Sequence, residues 1–424
     1  MDGKPKRVED SSVPVVRMYH YAPELFSVSG LCCSGPCAVT QFQPHPAWIG
    51  AIPHPFINRF EPWMDVCSVS ASVQRLEDRV VSKGPAPPPD QKKKARILGV
   101  ESLAWTPSGD SLLTLHENGN CGTWTACGMH YGGVETALGR DATGLCMTML
   151  NESEFLCGAS DGSIRISTSK ATVEGCLVEN AHEGPVTAVT RSPDVMFVSG
   201  GADGKLRFAD FRFMLEKPVA LVDCGPACAR VYSLDWNPAS SLVLSASEDG
   251  IVRLWDARTA SICASLIPPD PKAAFSSSAS SSAATGPQAG GIEGGVNVTR
   301  PAVRCVRWNG NGVTFAYGGD DCRVYIGDTR RMGDNVAVLP QGAEQINSIA
   351  WHPFHERMLV AGTDKGNLFH WLVGYREPVG KITAGNNPVK GVAYHPSGHL
   401  LAAITEKPDM AIRFFVRPVP GKGS

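Results

Sequence analysis

From about residue 100 to residue 416 the chain alternates apolar and polar positions in short runs with a period of two. That is the period of strands with one face in a core and the other in water. The runs come in a fixed order: an apolar alternation, a Trp/Tyr-x-Pro-like corner, a second apolar run, a small residue before Asp-Gly, and an aromatic third run. The clearest copy reads Val231-Tyr232-Ser233-Leu234-Asp235-Trp236-Asn237-Pro238, then Leu242-Val243-Leu244-Ser245-Ala246-Ser247, Glu248-Asp249-Gly250 and Ile251-Val252-Arg253-Leu254-Trp255-Asp256. Asp-Gly and Asn-Gly supply the positive φ that tight hairpins need.

The turn position recurs at Asn118, Asp161, Asp203, Asp249, Asp321, Asp364 and Asp409, and most steps are 42 to 46 residues. A period of this size is that of WD40 blades, and Trp255-Asp256 is the WD dipeptide itself. An open array of β-sandwiches does not explain so constant a period. Each copy has one face too apolar for water, and stacking copies in a ring buries those faces while leaving only short edges. The reading is an all-β fold: a seven-bladed WD40 β-propeller over residues 99–418, a tail at 419–424, and a Pro-rich, mostly irregular N-terminal arm at 1–98. One step, from Asp249 to Asp321, is 72 residues long. It holds a flexible insertion at 270–300, whose stretch Ser276–Gly295 is mostly Ser, Ala and Gly and has too little apolar surface to bury.

Within the arm, prolines such as Pro44, Pro53, Pro62 and Pro87 to Pro89 interrupt any regular ladder. Aromatics between them (Tyr19, Tyr21, Trp48, Phe56, Trp63) suggest an ordered arm laid over the propeller or a partner. The stretch 60–81 fits either an outer strand or a helix.

Composition narrows the chemistry. A formal net charge of −2 exerts no global pull toward nucleic acid or membrane, so any RNA contact must come from a local patch. No apolar run is long enough to span a bilayer, and none follows Met1 as a secretory signal would. The 14 cysteines are scattered, often inside apolar runs (Cys146, Cys157, Cys305), as suits buried thiols in a reducing compartment. Cys32, Cys33 and Cys37, and Cys224 with Cys228, lack the CxxC spacing of zinc sites, so no metal and no cofactor is expected. No G-x-S-x-G elbow, P-loop, H-E-x-x-H or kinase set is present. Most of the 11 histidines sit at repeat positions, such as His182, His352 and His395, and the turn aspartates are architectural. No catalysis is expected. Two basic clusters remain, Lys4 with Lys6 and Arg7, and Lys92 to Lys94 with Arg96, which read equally as phosphate contacts, import signals or solvated charge.

The C-terminal third carries a specific likeness. Trp351-His352-Pro353-Phe354-His355-Glu356 is followed by Phe369-His370-Trp371-Leu372-Val373-Gly374, then Tyr394-His395-Pro396-Ser397-Gly398-His399 and Arg413-Phe414-Phe415. This series closely resembles the last two blades of the WD-repeat subunit of the cleavage and polyadenylation specificity factor. Trp105-Thr106-Pro107, Asp328-Thr329-Arg330, Asp2-Gly3-Lys4 and Tyr21-Ala22-Pro23 match the same family in order. The likeness spans the chain, strongest from about residue 300 and weakest in blades 2 and 3.

The resemblance implies a nuclear, non-catalytic subunit of the pre-mRNA cleavage and polyadenylation machinery. It implies a large multi-propeller scaffold subunit and a CCCH zinc-finger subunit as partners, pre-mRNA as the nucleic acid, and no membrane or small-molecule substrate. In that family a basic N-terminal segment approaches the RNA and two aromatics stack on a base pair within the poly(A) signal. Carried over by position, the RNA-binding residues are Lys4, Lys6, Arg7, Lys93, Lys94 and Tyr131, the last lying seven residues beyond Trp124. The first stacking aromatic has Met1 in its place, and Pro5 stands where an Arg is usual. The alternative is an interaction scaffold without RNA contact, such as a ubiquitin-ligase substrate receptor or a chromatin adaptor.

Overall fold

The computed structural model describes residues 64–70, 99–117, 119–125, 130–135, 142–169, 177–211, 219–225, 229–268, 300–332, 337–340, 343–375, 377–398, 400–406 and 411–416. These form seven four-stranded antiparallel sheets, the blades of a propeller. Blade 1 is built from Val100–Trp105, Ser111–His116, Asn120–Thr125 and His130–Glu135. Blade 4, the clearest copy in sequence, is Val231–Trp236, Leu242–Ser247, Val252–Asp256 and Ser261–Leu266. Blade 5 begins at Val303–Trp308, blade 6 at Ile346–Trp351 and blade 7 at Val389–Tyr394. The stretch left open between strand and helix contains a strand: Met64–Ser70 pairs antiparallel with Ala411–Val416 and forms the outer strand of blade 7. The insertion Ser276–Gly295, the turn positions Asn118 and Asp409, and the tail 419–424 lie outside the described residues.

The core is a cycle. Seven buried apolar clusters sit one at each junction between neighbouring blades. The junction of blades 7 and 1, for example, packs Ile404, Ile412 and Phe414 against Val100, Leu112 and Trp124. Each blade therefore uses both faces of its sheet. Burying an apolar side chain contributes about 1.5–3 kcal/mol, so every junction holds the ring shut.

At one end of the ring lie the hairpins between second and third strands. There Gly119, Gly162, Gly204, Gly250 and Gly366 all take φ of +75° to +83°. A Cβ on Gly250 would approach the Pro301 carbonyl to 2.6 Å, so glycine is required by space as well as by φ. In blade 5 the same place is held by Cys322 at φ +62°. In blade 6 the hairpin bond runs from the Gly366 amide to Thr363, as it runs from Gly250 to Ser247 in blade 4. Lys365, one residue after Asp364, is thus the counterpart of Asp249, and Asp364 instead accepts the Gln345 amide at 2.9 Å.

At the other end, the corners are latched across blades. Asn237 Nδ2 of blade 4 donates to the Gly312 carbonyl of blade 5, and Asn309 Nδ2 of blade 5 to the Glu356 carbonyl of blade 6. Ser108 of blade 1 donates to Glu152 of blade 2 from both its amide and its hydroxyl. The indole N–H groups bond in the opposite sense, Trp105 to Ala393 and Trp351 to Arg307.

Candidate functional site

Of the residues assigned to RNA by resemblance, Lys4, Lys6, Arg7, Lys93 and Lys94 lie outside the described residues. Tyr131 belongs to the outer strand of blade 1, where the register skips: Gly132 faces Thr123 and His130 faces Trp124, leaving Tyr131 as the extra residue of a bulge. Blade 4 has the same irregularity. Ala264 faces Leu254 and Ile262 faces Trp255, so Cys263 is the extra residue there, and Cys263 is exposed.

A second bulge recurs in all seven innermost strands, always at the second residue. These residues are Glu101, Leu145, Thr187, Tyr232, Arg304, Asn347 and Lys390, and together they line the central channel around a cavity of about 180 Å³. Sequence reasoning missed this ring. Its seven members share no chemistry, and the available signal is their fixed place four residues before the corner, as in Glu101 to Trp105 or Arg304 to Trp308.

The ring is electrostatically uneven. Arg304 is paired with Asp320 and lies over the Tyr232 ring at 5.8 Å, while Lys390 is paired with Glu101 of the next blade. Deeper in, Arg307 donates from Nη1 to Ser233 Oγ, Leu234 O and Val306 O at 3.0–3.3 Å. Asp235, its counterpart in blade 4, accepts the Trp308 amide at 2.6 Å. Burial pushes the Asp235 carboxyl up from its ordinary range, against the pull of Arg307 and of the Trp308 and Trp236 amides. Around the hairpin end, the residue following each second strand is Glu117, Ser160, Ala202, Glu248, Asp320, Asp364 or Glu406, each with its amide bonded to the chain entering its own blade. Five of the seven are acidic.

One constellation imitates a catalytic relay. Ser199 Oγ lies 2.9 Å from His182 Nε2, and His182 Nδ1 lies 3.1 Å from Asp203. Ser199 has no solvent exposure, so no substrate atom can reach its hydroxyl. Burial lowers the His182 pKa, against the pull of Asp203. The group ties the hairpin of blade 3 to the segment entering it. Blade 4 fills the equivalent place with Cys224, 3.4 Å from Ser245 Oγ, and adds the Trp255 indole donating to the same oxygen at 2.9 Å. Cys146, Cys157 and Cys305 are buried thiols, pushed up to about 12 mainly by desolvation. Among the described residues no group of three His, Cys, Asp or Glu side chains converges on a metal position.

Fold and repeat define a WD40-repeat propeller of the scaffold type. The family model "WD domain, G-beta repeat" matches residues 175–210 and 221–256. The chain is similar to an F-box/WD-40 repeat-containing protein of Arabidopsis thaliana, 24% identical over 173 residues, 40% of this chain and 37% of that protein. It is similar to eukaryotic translation initiation factor 3 subunit I of Drosophila willistoni, 26% identical over 173 residues, 37% of this chain and 51% of the relative. It is also similar to polyadenylation factor subunit 2 of Yarrowia lipolytica, 30% identical over 108 residues, 22% of this chain and 20% of that protein. The matched region thus spans about half or less of each relative.

Proposed function

We propose that the protein is a non-catalytic scaffold subunit of the pre-mRNA cleavage and polyadenylation machinery, working in the nucleus. In this reading it helps recognise the poly(A) signal together with a CCCH zinc-finger subunit, on a large multi-propeller scaffold subunit. The observation that carries the reading is the 30% identity to a polyadenylation factor subunit, joined to the Trp-His-Pro and His-Pro-x-Gly-His corners of blades 6 and 7. Lys4, Lys6, Arg7, Lys93 and Lys94 supply phosphate contacts, and Tyr131 supplies a stacking face.

Affinity purification of the tagged chain tests this. Recovery of a CCCH zinc-finger protein and a multi-propeller protein is expected. Recovery of a cullin-type ligase without them would favour the second reading, a ubiquitin-ligase substrate receptor. That reading draws on the similarity to an F-box/WD-40 protein over the longer span of 173 residues.

A further inference from the structure

We propose that the central channel binds a small free oxyanion of the phosphate class, with Arg307 as its principal ligand and Arg304 and Lys390 at the mouth. The cavity of about 180 Å³ is lined by Arg304, Arg307, Lys390 and one carboxylate, Glu101. Two of the three cations are already matched, Arg304 by Asp320 and Lys390 by Glu101. Arg307 makes no ion pair among the described residues: its field reaches the buried Asp235 carboxylate, but that carboxylate accepts the Trp308 amide. Only its Nη1 bonds to protein, so Nε and Nη2 keep their protons for another acceptor.

The wall beside it is rich in donors. Ser348 Oγ accepts the Val392 amide and retains its own proton, and Asn347 stands at the adjacent bulge. Guanidinium and hydroxyl donors around a partly desolvated space form charge-assisted bonds to an oxyanion, about twice as strong as neutral ones. Size and charge select the occupant. The cavity is too small for a chain segment, and Glu117, Glu248, Asp364 and Glu406 stand around the hairpin end beside Asp320, which is paired with Arg304. That acidic rim repels a polyanion, whereas a single phosphate passes at modest cost and leaves its field behind once inside.

The test is calorimetric titration of the full chain with inorganic phosphate in chloride buffer, with tripolyphosphate as a second arm. Saturable one-site binding of phosphate is expected, with tripolyphosphate at least tenfold weaker. Arg307→Gln should weaken phosphate at least tenfold. Since Arg307 also bonds to blade 4, Asn347→Asp serves as the second variant, placing a carboxylate at the mouth without touching those bonds. It should weaken phosphate equally, with an unchanged melting temperature in phosphate-free buffer. Absence of saturable binding, wild-type affinity in both variants, or tripolyphosphate binding as tightly as phosphate would overturn the proposal. RNA affinity of the assembled complex should not change in Arg307→Gln, which keeps this outcome separate from that of the RNA reading.

Discussion

His395 of blade 7 donates its Nε2 proton to the carbonyl of Gly109 in blade 1, 2.8 Å away across the seam where the ring closes. The direction is fixed because the Ser397 amide donates to His395 Nδ1 at 3.0 Å, leaving Nδ1 unprotonated. Gly109 sits at φ +83°, and a Cβ there would come within 2.5 Å of His395 Nε2. The imidazole therefore works only as the neutral ring.

Burial lowers the His395 pKa from 6.5 to about 4, against the pull of the Gly109 carbonyl and Asp110. The unfolded chain takes up a proton below pH 6.5 while the folded chain does not until about pH 4. Stability is therefore full above 6.5 and falls as the pH drops through that window. Between pH 7 and 5 the loss is about 2 kcal/mol. Urea unfolding of wild type and His395→Asn at the two pH values measures it; the wild type should lose about 2 kcal/mol more. Equal losses would show that the seam does not depend on the neutral ring.

Trp255→Ala and Trp351→Ala should each cost about 3–5 kcal/mol of stability. Trp255 is 1% exposed and bonds Ser245, and Trp351 bonds the Arg307 carbonyl in the neighbouring blade. Thermal melting and partner capture should fall together. A variant with wild-type melting that had lost a partner would mean the indole is part of a binding surface.

Cys322→Gly should raise stability by about 0.5–1 kcal/mol. The cysteine holds φ +62° where five other hairpins use glycine, a conformation that costs an L-residue about 1–2 kcal/mol and glycine little. Part of the gain is returned by the extra freedom of glycine in the unfolded chain. Denaturant midpoints of the two proteins decide the sign.

Under the RNA reading, replacing Lys4, Lys6, Lys93 and Lys94 with Ala should weaken binding of the assembled complex to every RNA and flatten its salt dependence. Tyr131→Ala should cost roughly 1–3 kcal/mol at nearly unchanged salt slope, and Tyr131→Phe should cost little. Labelled-RNA titrations at several salt concentrations separate the two effects. Normal binding by Tyr131→Ala would remove the stacking role.

Much of this architecture was open to a reader of the chain, because hairpins and corners demand particular residue types. Gly250 is glycine because its φ and the Pro301 carbonyl exclude a side chain, so the blade count could be read from such positions. Lys365 escaped because the aspartate of its blade stands one place early, and only the Gly366 to Thr363 bond sets the alignment. The channel ring escaped for a different reason. A bulge is a property of backbone pairing, and it accepts Glu101, Leu145 and Arg304 alike. Arg307 looked like any polar residue of an alternating strand; that it forms no ion pair among the described residues, and only faces the buried Asp235 at longer range, is a fact of three dimensions.

Removing residues 1–98 should lower the melting temperature by several degrees, because it takes away Met64–Ser70 and leaves Ala411–Val416 as a bare edge. Supplying residues 60–75 as a separate peptide should restore part of the loss. An unchanged melting temperature would mean that the edge needs no cover.

The same pairing sets an order of events during synthesis. Met64–Ser70 leaves the ribosome more than 300 residues before its partner Ala411–Val416. Until then six blades can stack as an open arc, with blade 1 and blade 6 each presenting a greasy face that has nothing to meet. The nascent chain thus carries two sticky ends through nearly all of its translation, and it becomes a closed object only in the final step. Demand for chaperones during synthesis should therefore track the whole interval from the completion of blade 1 to the emergence of Ala411–Val416.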